Sequence, residues 1–325
     1  MTTPFENAGR VLREYAGKNI LLTTHVNPDG DALGSVAGMA HIAVSLGCEV
    51  RICMVSRVPD YLSWLPLPWT IVHSLAELGD WQADFLVAVD CGDAKRPGPE
   101  MEALFTSGLP CLNIDHHHGN PEFCTHNWVE PERAATAEMV GLLAEHLGLP
   151  LSGELGRAVY LGLTSDTGNF TFSNTTPDVF GMAARITAAG LKVGEFSELS
   201  ENTWTIGRMH LWGRLFADVS LHHDGRTALI VVPQKTLDQF KQKRSALEGF
   251  AAWLRRLKGV RVGVFIRDDG PGRSKVSLRS MGDVDVRAVA ASFGGGGHKA
   301  AAGAEVGLPP RETAATVLDA LKDLV

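Results

Sequence analysis

The sequence predicts an α/β protein with an N-terminal, mostly parallel sheet carrying helices on both faces. A smaller C-terminal α/β domain follows, and the active site is expected in the interdomain cleft. Three observations carry this reading. Over about the first 190 residues, apolar runs of strand length alternate with amphipathic segments, the pattern of a sheet covered on both sides. Acidic and histidine clusters close several of those runs, and parallel sheets collect their ligands at the carboxyl ends of the strands. Beyond Gly190 a helical stretch leads into a second alternation of strands and helices.

The N-terminal strand candidates are NILLTT from Asn19, CEVRICMV from Cys48, DFLVAVD from Asp84 and CLNID from Cys111. Asp31 to Leu46 places Leu33, Val36, Ala37, Ala40 and Val44 at helical spacing, and Gly47 suits the C-terminal cap. Ala134 to Leu147 and Leu155 to Thr164 also read as helices, which sets Asp166 at a helix end. Glu195 to Leu215 reads as a helical connector. Domain boundaries are accordingly expected at 1–190 for the catalytic part, 191–215 for the connector and 216–325 for the second domain. Within that domain Ala228 to Val232, Val260 to Ile266 and Lys275 to Arg279 are strand candidates, and DDGPGRS from Asp268 is a hairpin turn.

Composition narrows the class. A chain of 325 residues with 45% hydrophobic content holds material for about two domains. No apolar stretch approaches the roughly 18 to 20 residues of a membrane helix, and MTTPFENAGR lacks the features of a secretory signal, so a cytoplasmic protein is expected. The five cysteines form no C-x-x-C pair and leave one over, which reads as buried free thiols. A formal charge of -7 argues against electrostatic tracking along long nucleic acid. Small anionic substrates stay open, because two divalent cations bound among the clustered acids would reverse the local sign.

Each cluster has a bland reading beside the functional one. Asn27-Pro28-Asp29-Gly30 is a turn signal in its own right. With His25 before it and Asp31 after it, between a strand and a helix, it reads instead as a metal-ligating H-x-x-x-D-x-D loop. Asp90 could cap a helix, yet a carboxylate at the end of a central strand can bridge two metals. Asp115-His116-His117-His118 follows a strand with no packing rationale for three histidines, and adjacent residues there point different ways. One ligand, one substrate contact and one solvent-facing ring is the expected division. Asp166, in Thr164-Ser165-Asp166-Thr167-Gly168, is weak alone and completes the set as a fourth acidic contribution. This mixture of imidazole and carboxylate suits divalent metals.

In the second domain Gly294 to Gly297 could be a flexible linker. They also allow close backbone approach to a phosphate, with His298 and Lys299 beside them, so Gly295, Gly296, Gly297 and His298 are candidate substrate contacts. Arg279 in Ser277-Leu278-Arg279-Ser280 offers a guanidinium fork for a phosphate or carboxylate.

Taken in order, these motifs resemble the DHH phosphoesterase superfamily, named for the Asp115-His116-His117 type of triplet. S-L-R-S and G-G-G-G-H resemble its DHH-associated C-terminal domain. Length and ending look like the nano-RNases (oligoribonucleases) that also dephosphorylate 3',5'-bisphosphorylated adenosine, pAp. The resemblance implies one metal on His25, Asp29 and Asp90, and a second on Asp31, Asp90, His116 and Asp166. Manganese is the usual ion, with magnesium or cobalt as other choices. Asp115 would orient, His117 would contact the phosphate or leaving oxygen, and Arg279 and His298 would grip the substrate. His118 has no assigned role.

The implied activity is an RNA-degrading exonuclease acting on short oligoribonucleotides, releasing 5'-mononucleotides, together with conversion of pAp to AMP by a metal-activated hydroxide. Linear or cyclic dinucleotides such as pGpG and cyclic di-AMP are the alternative substrates. A non-catalytic nucleotide-sensing module is the alternative to an enzyme. Neither a membrane nor long duplex nucleic acid is expected as a partner, and a homodimer is left open.

Overall fold

A computed structural model describes residues 3–325, and the chain divides into two compact units, Met1–Thr203 and Trp204–Val325. The first unit begins with α1 (Pro4–Glu14), β1 (Asn19–Thr23), α2 (Gly30–Ser45) and β2 (Glu49–Cys53). It continues with β3 (Thr70–Val72), β4 (Phe85–Val89), α3 (Pro99–Phe105), β5 (Cys111–Asp115) and β6 (His126–Val129). Four helices complete it: α4 (Thr136–His146), α5 (Gly153–Asp166), α6 (Pro177–Ala188) and α7 (Val193–Glu201).

Its sheet has the order β3-β2-β1-β4-β5-β6, with every neighbouring pair parallel. Side chains alternate between two cores, which is why the strands read as continuous apolar runs. Ile20, Leu22, Val87, Val89 and Ile114 face α2, α4 and α5, whereas Leu21, Leu86 and Ala88 face the opposite core with Met101 and Phe105 of α3. Chain order reverses between β1 and β4. Ligands gather at such a switch point, beyond the carboxyl ends of the strands. His25 and Asp90 follow those two strands.

Helix α2 lies tight against α5. A Cβ added at Gly34 would stand 2.4 Å from the Ala158 carbonyl oxygen, and one at Gly162 would stand 2.6 Å from Asp31 Oδ1. Glycine at both positions lets the helices approach, and that approach sets Asp31 beside the end of α5.

The second unit runs α8 (Ile206–Ala217), β7 (Ser220–His222), β8 (Thr227–Val232), α9 (Gln234–Gln239), α10 (Phe250–Leu254), β9 (Val262–Asp268) and β10 (Ser274–Ser280). It ends with α11 (Val286–Ser292), β11 (Gly296–His298), β12 (Ala301–Val306) and α12 (Pro310–Leu321). The helical stretch read around Glu195 to Leu215 is thus two helices. The Thr205 hydroxyl accepts the Arg208 N–H at 3.1 Å and starts a new one.

The sheet of this unit is mixed, with order β11-β12-β10-β9-β8-β7, and only the β8–β9 pair is parallel. Val262, Val264, Ile266, Val276 and Leu278 form one core with α11 and α12. On the other face Ala228, Ile230 and Phe265 pack under Leu211 and Trp212 of α8 and Phe250 and Leu254 of α10. Among the described residues no helix is long and apolar enough to cross a membrane.

Candidate metal centre

The first unit brings six predicted residues together at the carboxyl edge of its sheet. His25 lies two residues past β1, and its Nδ1 is 3.0 Å from the Val26 carbonyl oxygen. His116 lies just past β5, with Nδ1 3.1 Å from the Arg133 carbonyl oxygen. A carbonyl can only accept, so both Nδ1 atoms carry the hydrogen and both Nε2 atoms turn toward carboxylates. Metal-ligating histidines are oriented in this way.

The carboxylates arrive from different elements. Asp29 caps α2, its Oδ1 accepting the N–H groups of Asp31 and Ala32 at 3.1 Å each. The turn and the ligand readings of this loop therefore hold together. Asp31, in the first turn of α2, is fully buried. Its Oδ2 accepts Thr136 N–H at 2.7 Å and its Oδ1 accepts Ala137 N–H at 2.8 Å, so the N-terminus of α4 points into the carboxylate. Asp90 leaves β4 in a left-handed conformation with φ of 57°, an uncommon state for a residue with a Cβ. Asp166 is the last residue of α5.

Asp90 is shared. Its Oδ2 lies 3.4 Å from His25 Nε2, and its Oδ1 lies 3.7 Å from His116 Nε2. His25 Nε2 is also 3.9 Å from Asp29 Oδ1. His116 Nε2 is 3.6 Å from Asp31 Oδ2 and 3.3 Å from Asp166 Oδ2. Two groups result, His25 with Asp29 and Asp90, and His116 with Asp31 and Asp166, each with donor atoms within 4.8 Å of one another. Asp90 reaches both.

Asp115 stands apart in role. Fully buried, it holds His117 Nδ1 at 2.8 Å and accepts the His117 main-chain N–H at 3.2 Å and Asn120 Nδ2 at 2.7 Å. The same Nδ1 lies 3.6 Å from Asp90 Oδ1, so Asp115 sets the His117 ring beside the shared carboxylate. His118 is exposed.

The charges are strongly coupled. Burial pulls His25 down, but the hydrogen bond with Asp90 and the charges of Asp29 and Asp90 outweigh it and lift the imidazole to about 9. Burial penalises the Asp90 charge, yet His25, His117 and His116 hold its carboxyl well below the usual range. Asp31 is pushed up by burial and by Asp90 and Asp166. Asp166 is raised by burial as well. His116, opposed by burial, is raised by Asp166, Asp31 and Asp90. Protons on the imidazoles thus take the place that a cation would fill. Four carboxylates, two oriented Nε2 atoms and a helix N-terminus that steadies Asp31 fit a divalent metal centre.

Several participants escape a motif search. Thr136 donates its hydroxyl to Asp90 Oδ1 at 3.0 Å as well as its N–H to Asp31. The Arg133 carbonyl orients His116, and buried Glu138 fixes that turn by accepting Arg133 Nη1 at 3.0 Å and Ala134 N–H at 2.9 Å. Thr136 meets its partners 46 and 105 residues away and the Arg133 carbonyl meets His116 17 residues away, so no local pattern marks them.

The remaining candidates belong to the second unit. Arg279 on β10 and His298 on β11 are both paired with Ala301 of β12, so they sit in one cross-strand row on one face. Arg279 is also paired with Gly263, which lies under Leu254 and Arg255 at the end of α10. Two of the glycines have a packing reason: a Cβ at Gly295 would meet the Gly303 carbonyl oxygen at 2.1 Å, and one at Gly297 the Ala301 carbonyl oxygen at 2.5 Å. Gly296 faces open space.

Comparison with known proteins places the chain among relatives. Residues 19–163 match the DHH family, N-terminal domain, and residues 229–325 match the DHHA1 domain. The chain is 34% identical over 315 residues to the bifunctional oligoribonuclease and PAP phosphatase NrnA of Thermus thermophilus, covering 96% of this chain and 92% of that one. It is 28% identical to the protein of the same name from Bacillus subtilis, covering 88% and 89%. A crystal structure of an exopolyphosphatase-related protein from Bacteroides fragilis is similar with a TM-score of 0.88 and 27% identity, covering 99% and 97%.

Proposed function

The chain belongs to the DHH family, and from that premise we propose that it is a metal-dependent phosphoesterase of short RNA. It would hydrolyse short oligoribonucleotides to 5'-mononucleotides and convert pAp to AMP in the cytoplasm. The observation that carries this reading is the division of Asp90, one oxygen toward His25 and the other toward His116. A carboxylate so placed suits a pair of ions.

His25, Asp29 and Asp90 would hold one ion, and Asp31, Asp90, His116 and Asp166 the other. Bound there, divalent cations, with manganese the ion that the resemblance implies, would supply Lewis acidity and lower the pKa of water. The protein's own groups do the rest. Thr136 and the α4 N–H groups keep Asp31 and Asp90 from turning away. Asp115 fixes the His117 ring so that Nε2 can hold or deliver a proton at the leaving oxygen. In the second unit, Arg279 and His298 would bind a substrate phosphate across the small Ala301, with Gly295 to Gly297 giving access to the backbone.

Purified protein supplied with manganese should release AMP from pApA and phosphate from pAp, and a chelator should stop both. Products are read by mass spectrometry. Cleavage confined to pGpG or cyclic di-AMP would replace the substrate assignment, and tight nucleotide binding without turnover would replace the enzyme.

A further inference from the structure

The two units differ in charge. Met1–Thr203 holds 11 Lys and Arg against 25 Asp and Glu, whereas Trp204–Val325 holds 19 against 12. In the second unit two of these cations, Arg208 and Arg256, lie on exposed aromatic rings that the proposed reaction does not use.

That surface is built on α8 and α10. Trp204, just ahead of α8, is 41% exposed, and the Arg208 guanidinium lies 4.6 Å from its ring centroid. Trp253 on α10 is 43% exposed, with the Arg256 guanidinium 4.3 Å from its ring. Phe216, also exposed, lies 5.8 Å from Trp253, and buried Trp212 joins the two ends, 4.4 Å from Trp204 and 6.4 Å from Trp253. Residues 204–258 carry ten Lys and Arg against four Asp and Glu.

Two exposed indoles, each with a guanidinium on its ring, combine two properties. Every base has a face that stacks on an indole or a guanidinium plane, and the excess positive charge attracts phosphates. Tryptophan and arginine also serve protein interfaces, but lysine is depleted there, and residues 204–258 carry Lys235, Lys241, Lys243 and Lys258. We propose that the surface formed by Trp204, Arg208, Phe216, Trp253 and Arg256 is a stacking site for single-stranded nucleic acid longer than the cleaved substrate. The proposal rests on the reading above only for the class of ligand. It gives the chain a means of holding an RNA strand that its catalytic residues do not supply.

The test uses the full chain. Binding of a 5'-fluorescein single-stranded oligoadenylate of about 20 nucleotides is followed by anisotropy in chelator, where cleavage is off. Trp253→Ala combined with Arg256→Ala should weaken binding about tenfold or more, and Trp253→Phe should keep it. Arg256→Glu, on an exposed side chain, should weaken binding without threatening the fold. Turnover of pApA in manganese should be unchanged in all three variants. Equal affinity in wild type and Arg256→Glu overturns the proposal, as does a wild-type dimer in sedimentation that the double variant dissociates, which would assign the surface to a second copy. Binding that depends on this surface, in a protein inert toward pApA, would sink the proposed reaction and leave the stacking site standing.

Discussion

Thr136 grips Asp90 through its hydroxyl at 3.0 Å while its main-chain N–H, 2.7 Å from Asp31, holds a carboxylate of the other strand-end cluster. One residue at a helix start therefore sets two of the acids that converge on His116. Thr136→Val keeps the shape and removes the hydroxyl. The manganese concentration for half-maximal activity should rise about tenfold, and Thr136→Ser should restore it. An unchanged metal requirement would remove Thr136 from the site.

Asp115 holds His117 by ring and main chain and, although its carboxylate lies within 4.8 Å of Asp90, it belongs to neither the His25 nor the His116 group. Asp115→Asn should accordingly lower kcat by about 10- to 100-fold while bound manganese, measured by elemental analysis, stays at the wild-type level. Loss of metal in this variant would make Asp115 a ligand.

The metal-free protein should be sensitive to alkaline pH. His25 is lifted from 6.5 to about 9 in the fold, so its protonated form stabilises fully below about 6.5, and that contribution is lost as pH rises through 9. The size is on the order of 3 kcal/mol, counted once because the same contact depresses Asp90. Urea unfolding in chelator should show stability falling from pH 6.5 to 9, with manganese flattening the slope. A chelated protein that gains stability over this range would contradict the shared proton.

Gly34→Ala places a methyl carbon 2.4 Å from the Ala158 carbonyl oxygen, which as backbone cannot swing aside. A loss of about 1 to 3 kcal/mol is expected in urea unfolding. Because the α2–α5 contact also seats Asp31, the manganese requirement should rise with it. Full stability would show that the helices can part without cost.

Chemistry was more legible in the sequence than scaffolding. His25, Asp29, Asp31, Asp90, His116 and Asp166 could be read because each ends a patterned run, and topology then delivers such residues to one edge. The strands that sequence reading missed lack that pattern. Thr70–Val72 is only three residues long, His126–Val129 carries His and Asn, and Gly296–His298 and Ala301–Val306 are made largely of small residues. These hold as strands because neighbours supply the pairing, a tertiary cause that composition does not display. Thr136 was hidden for a similar reason. Its hydroxyl partner is 46 residues away and its N–H partner 105.

The hydrogen bonds at the carboxylates also limit how far the acids can turn. Asp31 has given one acceptor site on each oxygen to α4, Asp90 has given one to Thr136, and Asp29 Oδ1 serves two N–H groups. Asp31 and Asp90 are held in one orientation by a helix start, so a cation meeting them would find their oxygens already placed.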